Sequence, residues 1–466
     1  MSGEGENVGV VVISYGSRAA AMIDALCRSV DYDVRLFVAD KQRNPFTIER
    51  AAKHVVIPDL AVDKIVEFVA ANKDAINFGL CGPEKPIIAG VRDFVERETG
   101  VPMICPTQQF AIEESKVGQR YLIEKCCPEA NPRFKVFDHA AYKTVTDVKD
   151  AVWRFLDEIG DEVAVKPDRP TAGKGVGIWG DHFRTREQLF EHFRSIYESG
   201  SAVLIEEKLD GEESSFQAFC DGKRIAALPD TRDYKRAFDN DLGPNTGGMG
   251  AFKAADDWLP FLTPQDRTTE ERMTQQLFDE LSGGSTNDGL RGIPFYVAFM
   301  HTAEGAKILE INSRPGDPEI MNIMPVLKND FVDLCFRMIE GTLKNVECER
   351  KATVVTYAVP MDYGEYRRTY SGSKRVDLSG VYALRERYGD NLRVYPGSME
   401  LRENGETFAL GSRAVGTVGI GETIEEAREI SLEGIRSIDG ALWNRWDIAA
   451  PHYIERSTQK MQQLRG

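Results

Sequence analysis

The chain has 466 residues, 42% of them hydrophobic and 28% charged, with 58 lysines and arginines against 74 aspartates and glutamates for a formal net charge of -16. This composition allows three or four ordinary folded domains and excludes a small disulfide-stapled fold or a low-complexity chain. The negative balance disfavours nucleic acid and anionic membrane as partners, so a small anionic substrate would need a local cationic pocket, with magnesium as a natural shield.

Residues 8 to 105 alternate short β-branched runs with helical stretches: VGVVVIS, AAAMIDALCRSV, VRLFVAD, HVVIP, AVDKIVEFVAANK, AINFGLC, PIIAGVRDFVERETG and PMIC. The alternation predicts a doubly wound parallel α/β domain over residues 1–112. Ligands of such sheets gather at the carboxyl ends of the strands, which here read SYGSR (14 to 18) and CGPEK (81 to 85). A dinucleotide site is disfavoured, because only Gly16 stands where the GxGxxG fingerprint needs three glycines.

From 113 to 345 the pattern changes to β-rich hairpins among helices, an α+β unit, with SGGSTNDG (282 to 289) as a surface loop. A smaller α+β domain follows over 346–450. There Thr423 and Glu426 have capping-box spacing ahead of an apolar face of Ile424, Ala427, Ile430 and Ile438. Residues 451–466 are left as a tail. The eight cysteines form no CxxC pair and read as reduced core thiols. The opening MSGEGENVGVVVISYG has no basic stretch, and its apolar run is too short for a signal peptide or a span, so a cytoplasmic location is expected.

Three stretches of the middle unit carry chemistry. EVAVKPDRPTAGKGVGIW (162 to 179) puts Lys166 at a strand end and then a loop of Gly173, Lys174 and Gly175, where bare backbone could approach phosphate oxygens; by itself the loop is as consistent with a hairpin tip. VLIEEKLDGEESSF (203 to 216) runs an apolar strand into Glu206 and Glu207. Its main chain there suits an adenine edge, with Glu213 for the ribose hydroxyls, although four glutamates read alone more often mark a solvated edge. In AKILEINSRPGDPE (306 to 319), strand alternation sets Glu310 and Asn312 on one solvent-facing side and Leu309 and Ile311 in the core. Two oxygen donors on a rigid face suit magnesium, which completes its octahedron with phosphate and water, and Arg314 could reach the same phosphates or a carboxylate. NTGGMGAF (245 to 252), with three glycines in eight positions, reads as neither strand nor helix and needs a reason for so bare a backbone.

Lys116 in EESK, Lys166, AGKGV, EEKLDGEE and LEIN, in this order, resemble an ATP-grasp ligase. PDTRDYKRAFDNDLGPNTGGMGAF with EINSRPGDPE narrows the resemblance to the glycinamide ribonucleotide synthetase family, also called phosphoribosylamine–glycine ligases. CGPE, CPTQQFAIEESK, GTVGIGETIEEA and WNRWDI extend it over nearly the whole chain. The resemblance implies an N-terminal domain, a central ATP-grasp fold and a small C-terminal domain. It implies ATP and Mg2+ or Mn2+ as cofactors, and glycine and 5-phosphoribosylamine as substrates of a monomer or homodimer. ATP would phosphorylate the glycine carboxylate, and the amine would then attack the glycyl phosphate.

Carried over by position, Lys116, Lys166, Gly173, Lys174, Gly175 and Val176 would meet the ATP phosphates. Glu206, Glu207, Leu209 and Glu213 would hold adenosine, and Glu310 and Asn312 the metal. Asp233, Lys235, Arg236, Asn245, Thr246, Gly247, Gly248, Met249, Gly250, Arg314 and Asp317 would surround glycine and the acyl phosphate, with Arg314, Asp233 and Lys174 as the catalytic set. Gly16, Arg18, Gly82, Pro83 and Glu84 would face the phosphoribosyl group. Four stretches depart from the family. YGSRAAA replaces GGREHA, DYKR replaces DHKR, NSRPGDPE replaces NARFGDPE, and Ala298 stands where some members have a polar metal contact. A paralogous ligase with another amine acceptor and a silent nucleotide-binding homologue therefore stand as alternatives.

Overall fold

The computed structural model describes residues 6–142, 144–169 and 175–466. Its N-terminal part is a five-stranded parallel sheet in the order Ala51–Val56, Tyr32–Asp40, Glu6–Ser14, Phe78–Cys81, Met103–Ile104. The β-branched run Val8 to Ile13 is buried on both faces, under the helices Ser17–Cys27, Val62–Ala70 and Val91–Thr99, as a parallel sheet requires. The order in which strands are added reverses between Glu6–Ser14 and Phe78–Cys81, which run parallel with their carboxyl ends side by side and Ile13 opposite Cys81. SYGSR and CGPEK therefore flank one crevice.

Two antiparallel sheets follow. One has the order Phe134–Phe137, Val203–Glu207, Val163–Pro167, Gly177–Ile178, covered by the helices Val145–Ile159 and Arg186–Glu198 around Phe137, Phe155 and Phe193. Thr144 and Thr185 start these helices by accepting from the backbone N–H of Asp147 and Gln188. The other has the order Ile225–Ala227, Glu212–Cys220, Gly292–Thr302, Gly305–Asn312, covered by Lys116–Cys126 and Pro264–Ser282. Thr263 and Asp266 close a reciprocal capping box on the second of these helices.

The third sheet draws strands from both sides of the expected boundary at residue 346. Its strands run Arg232–Asp233, Gly250–Lys253, Ala352–Pro360, Val415–Gly421, Leu392–Pro396, so two strands from the middle of the chain belong to the C-terminal layer. Gly250 pairs opposite Thr356, and a Cβ on it would collide with the Val355 carbonyl oxygen. The bare segment is thus in part a strand, and Met249 is fully buried in the main core. The expected tail is a helix, Pro451–Arg465, with Tyr453, Ser457 and Met461 buried. In the helix Ile424–Arg436, Thr423 accepts from Glu426 N–H as expected, but the Glu426 carboxylate reaches back one residue further, to the N–H of Glu422 at 2.8 Å.

Candidate active site

Gly16, with φ of +82°, turns the first strand into the helix Ser17–Cys27 and aims Arg18 into the crevice. Arg18, 5% exposed, donates to Pro315 O at 2.9 Å and to Glu84 Oε2 at 3.3 Å, and its Nε lies 3.6 Å from Asp317 Oδ2. Gly82 and Pro83 serve the turn that presents Glu84: Gly82 N–H donates to Ile13 O, and the Cys81 thiol to Pro83 O. Burial pushes the Glu84 carboxyl up, but Arg18 and Arg314 outweigh it and hold the group down at about 2. Arg314 extends the chain of charges through Nη2 to Glu113 Oε1 and to Asn312 Oδ1, each at 3.4 Å. Ala19 and Ala20 are fully buried, so the departure from GGREHA falls in the core of the first helix while Gly16 and Arg18 keep the crevice.

On the nucleotide side, Ser115 caps the helix Lys116–Cys126 through Gly118 N–H and also donates to Asp168 Oδ1 at 2.8 Å, while Lys116 N–H donates to Asp168 O. These bonds fix Lys116 beside the end of the Val163–Pro167 strand that carries Lys166. The Lys166 ammonium is paired with Glu206, whose other oxygen accepts from Arg120 at 2.9 Å. The Glu206 side chain is thereby held within the protein. Glu207 pairs with Arg133 at 2.8 Å, its N–H donates to Arg133 O, and the chain leaves the sheet at half-buried Leu209. Gly175, with φ of +92°, gives its carbonyl to His192, and Val176 is half-buried beside it. Gly173 and Lys174 lie outside the described residues.

The strand with Glu310 corrects the alternation read from sequence. Ala298 faces Glu310 but Phe299 faces Ile308, so Leu309 is an extra residue in a β-bulge. Ile308 and Ile311 enter the core and Leu309 is half-exposed. Arg120 satisfies the bulge by donating to Ile308 O at 2.7 Å and to Leu309 O at 2.6 Å. Glu310 and Asn312 still converge on the cleft. Burial raises the Glu310 carboxyl, but Lys235, Lys116, Lys166 and Arg314 around it bring it below the usual range. Burial lowers the Lys116 ammonium, with Glu310 the largest opposing influence.

Glu213 accepts from Lys235 Nζ at 2.5 Å, and Lys235 stands 3.8 Å from Asp233 Oδ1. Burial pushes Asp233 up to about 7 against the pull of Lys235, with Glu319 and Glu213 adding repulsion. Arg236 reaches Asp181 and donates to Gly243 O at 2.9 Å, tying the Arg236–Phe238 and Leu242–Asn245 hairpin to the neighbouring sheet, with Asn245 opposite Arg236. Thr246 donates to Lys235 O through its hydroxyl and accepts from Gly248 N–H at 3.1 Å, while Gly247 N–H donates to Tyr363 Oη at 3.0 Å. Gly248 has φ of +103°, and a Cβ on it would lie 2.8 Å from Pro318 Cδ. Close packing against Pro318 and the Ala352–Pro360 strand accounts for the bareness of Gly248 and Gly250. Asp317 accepts from Tyr357 Oη at 2.6 Å.

Four residues of this constellation lack a sequence motif strong enough to single them out: Glu113, Arg120, Tyr357 and Arg413. Arg413 donates to Gly247 O at 2.5 Å and to Asp317 O at 2.8 Å, and its guanidinium lies 4.9 Å from the centre of the Tyr357 ring. Glu113 opens the EESK stretch that ends in Lys116 and was the nearest to being legible; Arg120 lies one turn beyond Lys116 on the same helix. The oxygen pair at Glu310 and Asn312 suits a divalent cation. Glu310 accepts no hydrogen bond from the described residues, Asn312 Oδ1 has only the 3.4 Å contact from Arg314, and no set of three His, Cys, Asp or Glu side chains among the described residues could hold a metal by itself. Few protein ligands are what magnesium beside phosphates requires.

Two family sequence models match the chain: the phosphoribosylglycinamide synthetase N domain over residues 8–114 and its ATP-grasp (A) domain over residues 134–320. Phosphoribosylamine–glycine ligase of Methanocella arvoryzae is 34% identical over 98% of this chain and 100% of its own, and that of Methanosarcina barkeri 35% over the same shares. The chain belongs to the phosphoribosylamine–glycine ligase family. It is an ATP-dependent ligase of purine biosynthesis, built on the ATP-grasp fold. The crystal structure of a phosphoribosylamine–glycine ligase from Thermotoga maritima shares the fold, with a TM-score of 0.71, 24% identity, and coverage of 95% of this chain and 100% of that one. The biotin carboxylase domain of Hydrogenobacter thermophilus 2-oxoglutarate carboxylase, solved with MgADP, has a TM-score of 0.64 at 16% identity, covering 97% of this chain and 93% of that one. The ligase family's fold thus accounts for the crevice, the two central sheets and the C-terminal sheet together.

Proposed function

We propose that the cleft joins glycine to 5-phosphoribosylamine as follows. ATP enters between the two central sheets, its adenosine against Glu207, Leu209 and Glu213 and its phosphates toward Lys116, Lys166, Gly175 and Val176. Glu310 and Asn312 would hold a magnesium or manganese ion, whose charge would screen the phosphates. Glycine would lie with its ammonium toward Asp233 and its carboxylate toward Arg314, beside the Asn245 to Gly250 segment. A carboxylate oxygen attacks the γ-phosphorus, the bond to ADP breaks, and the acyl phosphate is left in a site fixed by Arg413 and Asp317. The 5-phosphoribosylamine nitrogen, entering past Gly16, Arg18 and Glu84, attacks the acyl carbon and phosphate departs. Positioning and charge neutralisation supply most of the catalysis in such transfers.

The observation that carries this reading is the gathering of Lys116, Lys166, Lys235 and Arg314 around one carboxylate, Glu310, from elements far apart in sequence. The test is ADP release with glycine, with and without freshly generated phosphoribosylamine. Release that needs both supports the reading. Release with a different amine supports the paralogous ligase, and none at all a silent homologue. Among the described residues no helix is long and apolar enough to cross a membrane.

A further inference from the structure

The helix Pro451–Arg465 lies outside every motif of the catalytic reading, yet it ends against the nucleotide side of the cleft. Lys460 Nζ donates to Gly211 O at 2.9 Å and stands 2.8 Å from Asp210 Oδ1 and 3.9 Å from Glu212 Oε1. One turn earlier, Ser457 accepts from Arg232 at 3.2 Å, and the same guanidinium pairs with Glu212. Arg465 is anchored to Asp266 at 2.7 Å, and Tyr453, Ser457 and Met461 are buried, so the helix is a fixed support.

The turn it holds is closely packed and dense in carboxylates, each paired with a cationic side chain. Residues 206 to 213 carry five carboxylates, those of Glu206, Glu207, Asp210, Glu212 and Glu213. A Cβ on Gly211 would collide with the His301 carbonyl, so the turn is wedged between that strand and Lys460. On one side of the turn Leu209 follows the strand assigned to adenosine, and on the other Glu213, second residue of the Glu212–Cys220 strand, meets Lys235.

We propose that Lys460 is a positioning residue for the nucleotide: through the Gly211 carbonyl and the Asp210 carboxylate it sets the turn that places Leu209 and Glu213 against adenosine. The inference rests on the nucleotide reading above. The exposed Lys460–Asp210 pair contributes little to stability by itself. The effect is therefore one of geometry, felt first at the nucleotide edge.

The experiment compares steady-state kinetics and ADP affinity by calorimetry for the native enzyme, Lys460→Met, Lys460→Arg and, as a control on the same helix, Gln459→Ala. Lys460→Met is expected to raise KM for ATP and Kd for ADP three- to tenfold with kcat, KM for glycine and melting temperature nearly unchanged. Lys460→Arg should recover most of the affinity, and Gln459→Ala should match the native enzyme. Unchanged nucleotide affinity in Lys460→Met, or a fall in kcat that follows a loss of thermal stability, overturns the inference. Absence of ADP release by the native enzyme would instead refute the ligase reading.

Discussion

Arg413 holds Asp317 by two bonds, from Nη1 to the main-chain oxygen at 2.8 Å and to Oδ1 at 3.2 Å, and the same nitrogen reaches Gly247 O. One guanidinium from the loop before the Val415–Gly421 strand thus fastens the glycine-rich segment to the loop that follows the Glu310 strand. Lysine keeps the charge but loses the planar stacking on Tyr357. Arg413→Lys is expected to lower kcat/KM by about 10- to 100-fold, a transition-state cost of about 1.4 to 2.7 kcal/mol, with a small change in melting temperature. Steady-state kinetics with glycine as the varied substrate checks this, and native activity in the variant would show that the clamp is dispensable.

Glu310→Ala removes the carboxylate around which four cationic side chains gather. A metal clamp on transferring phosphate contributes several kcal/mol, so turnover is expected to fall by at least about 100-fold. The variant should still fold, because Glu310 lies on the cleft side of its strand while Ile308 and Ile311 form the core contact. Circular dichroism and an ADP-release assay decide it together: a folded variant with native turnover would remove Glu310 from the metal site.

Asp233 is held up to about 7, by burial first and by Glu319 and Glu213 after it. Below that pH the group is neutral and cannot pair with the glycine ammonium; above it the charge is present. KM for glycine should therefore fall as pH rises through about 7 and level off beyond. Asp233→Asn should raise KM for glycine and flatten that limb. A native profile already flat between pH 6 and 8 would exclude Asp233 as the ammonium's partner.

The order of elements and the identity of the cleft were legible because they rest on local signals: alternation of β-branched runs with amphipathic helices, and motifs such as LEIN whose residues sit together on one strand. What escaped the sequence was set by distant neighbours. The bulge at Leu309 shifts the strand's alternation by one, and it is stabilised by Arg120 from a helix almost 190 residues earlier. The strand character of Gly250–Lys253 depends on pairing with Ala352–Pro360, a hundred residues away. Nothing in NTGGMGAF predicts that partner. Arg413 had no period or motif to mark it, since its role exists only once two other loops reach it.

Behind Glu213 lies a buried network the catalytic reading does not use. Ser214 Oγ is bonded to Glu270 and lies 2.9 Å from His301 Nε2, and Arg267 pairs with Asp230. Glu270 Oε2 and Asp230 Oδ2 have no other partner, and one proton shared between the two carboxyls would satisfy both. Burial pushes Glu270 up to about 7 despite Arg267. Because its folded value is raised, Glu270 contributes stability that is fully present below the ordinary carboxyl range and is lost as pH rises through about 7. Glu270→Gln fixes the neutral form, keeps an acceptor for Ser214, and supplies a donor toward Asp230. The variant should match the native protein near pH 5 and exceed it by roughly 1 to 3 kcal/mol at pH 8. Denaturant unfolding at the two pH values measures the difference, and a variant equally or more destabilised at pH 8 than at pH 5 would show that Glu270 is ionised in the folded protein.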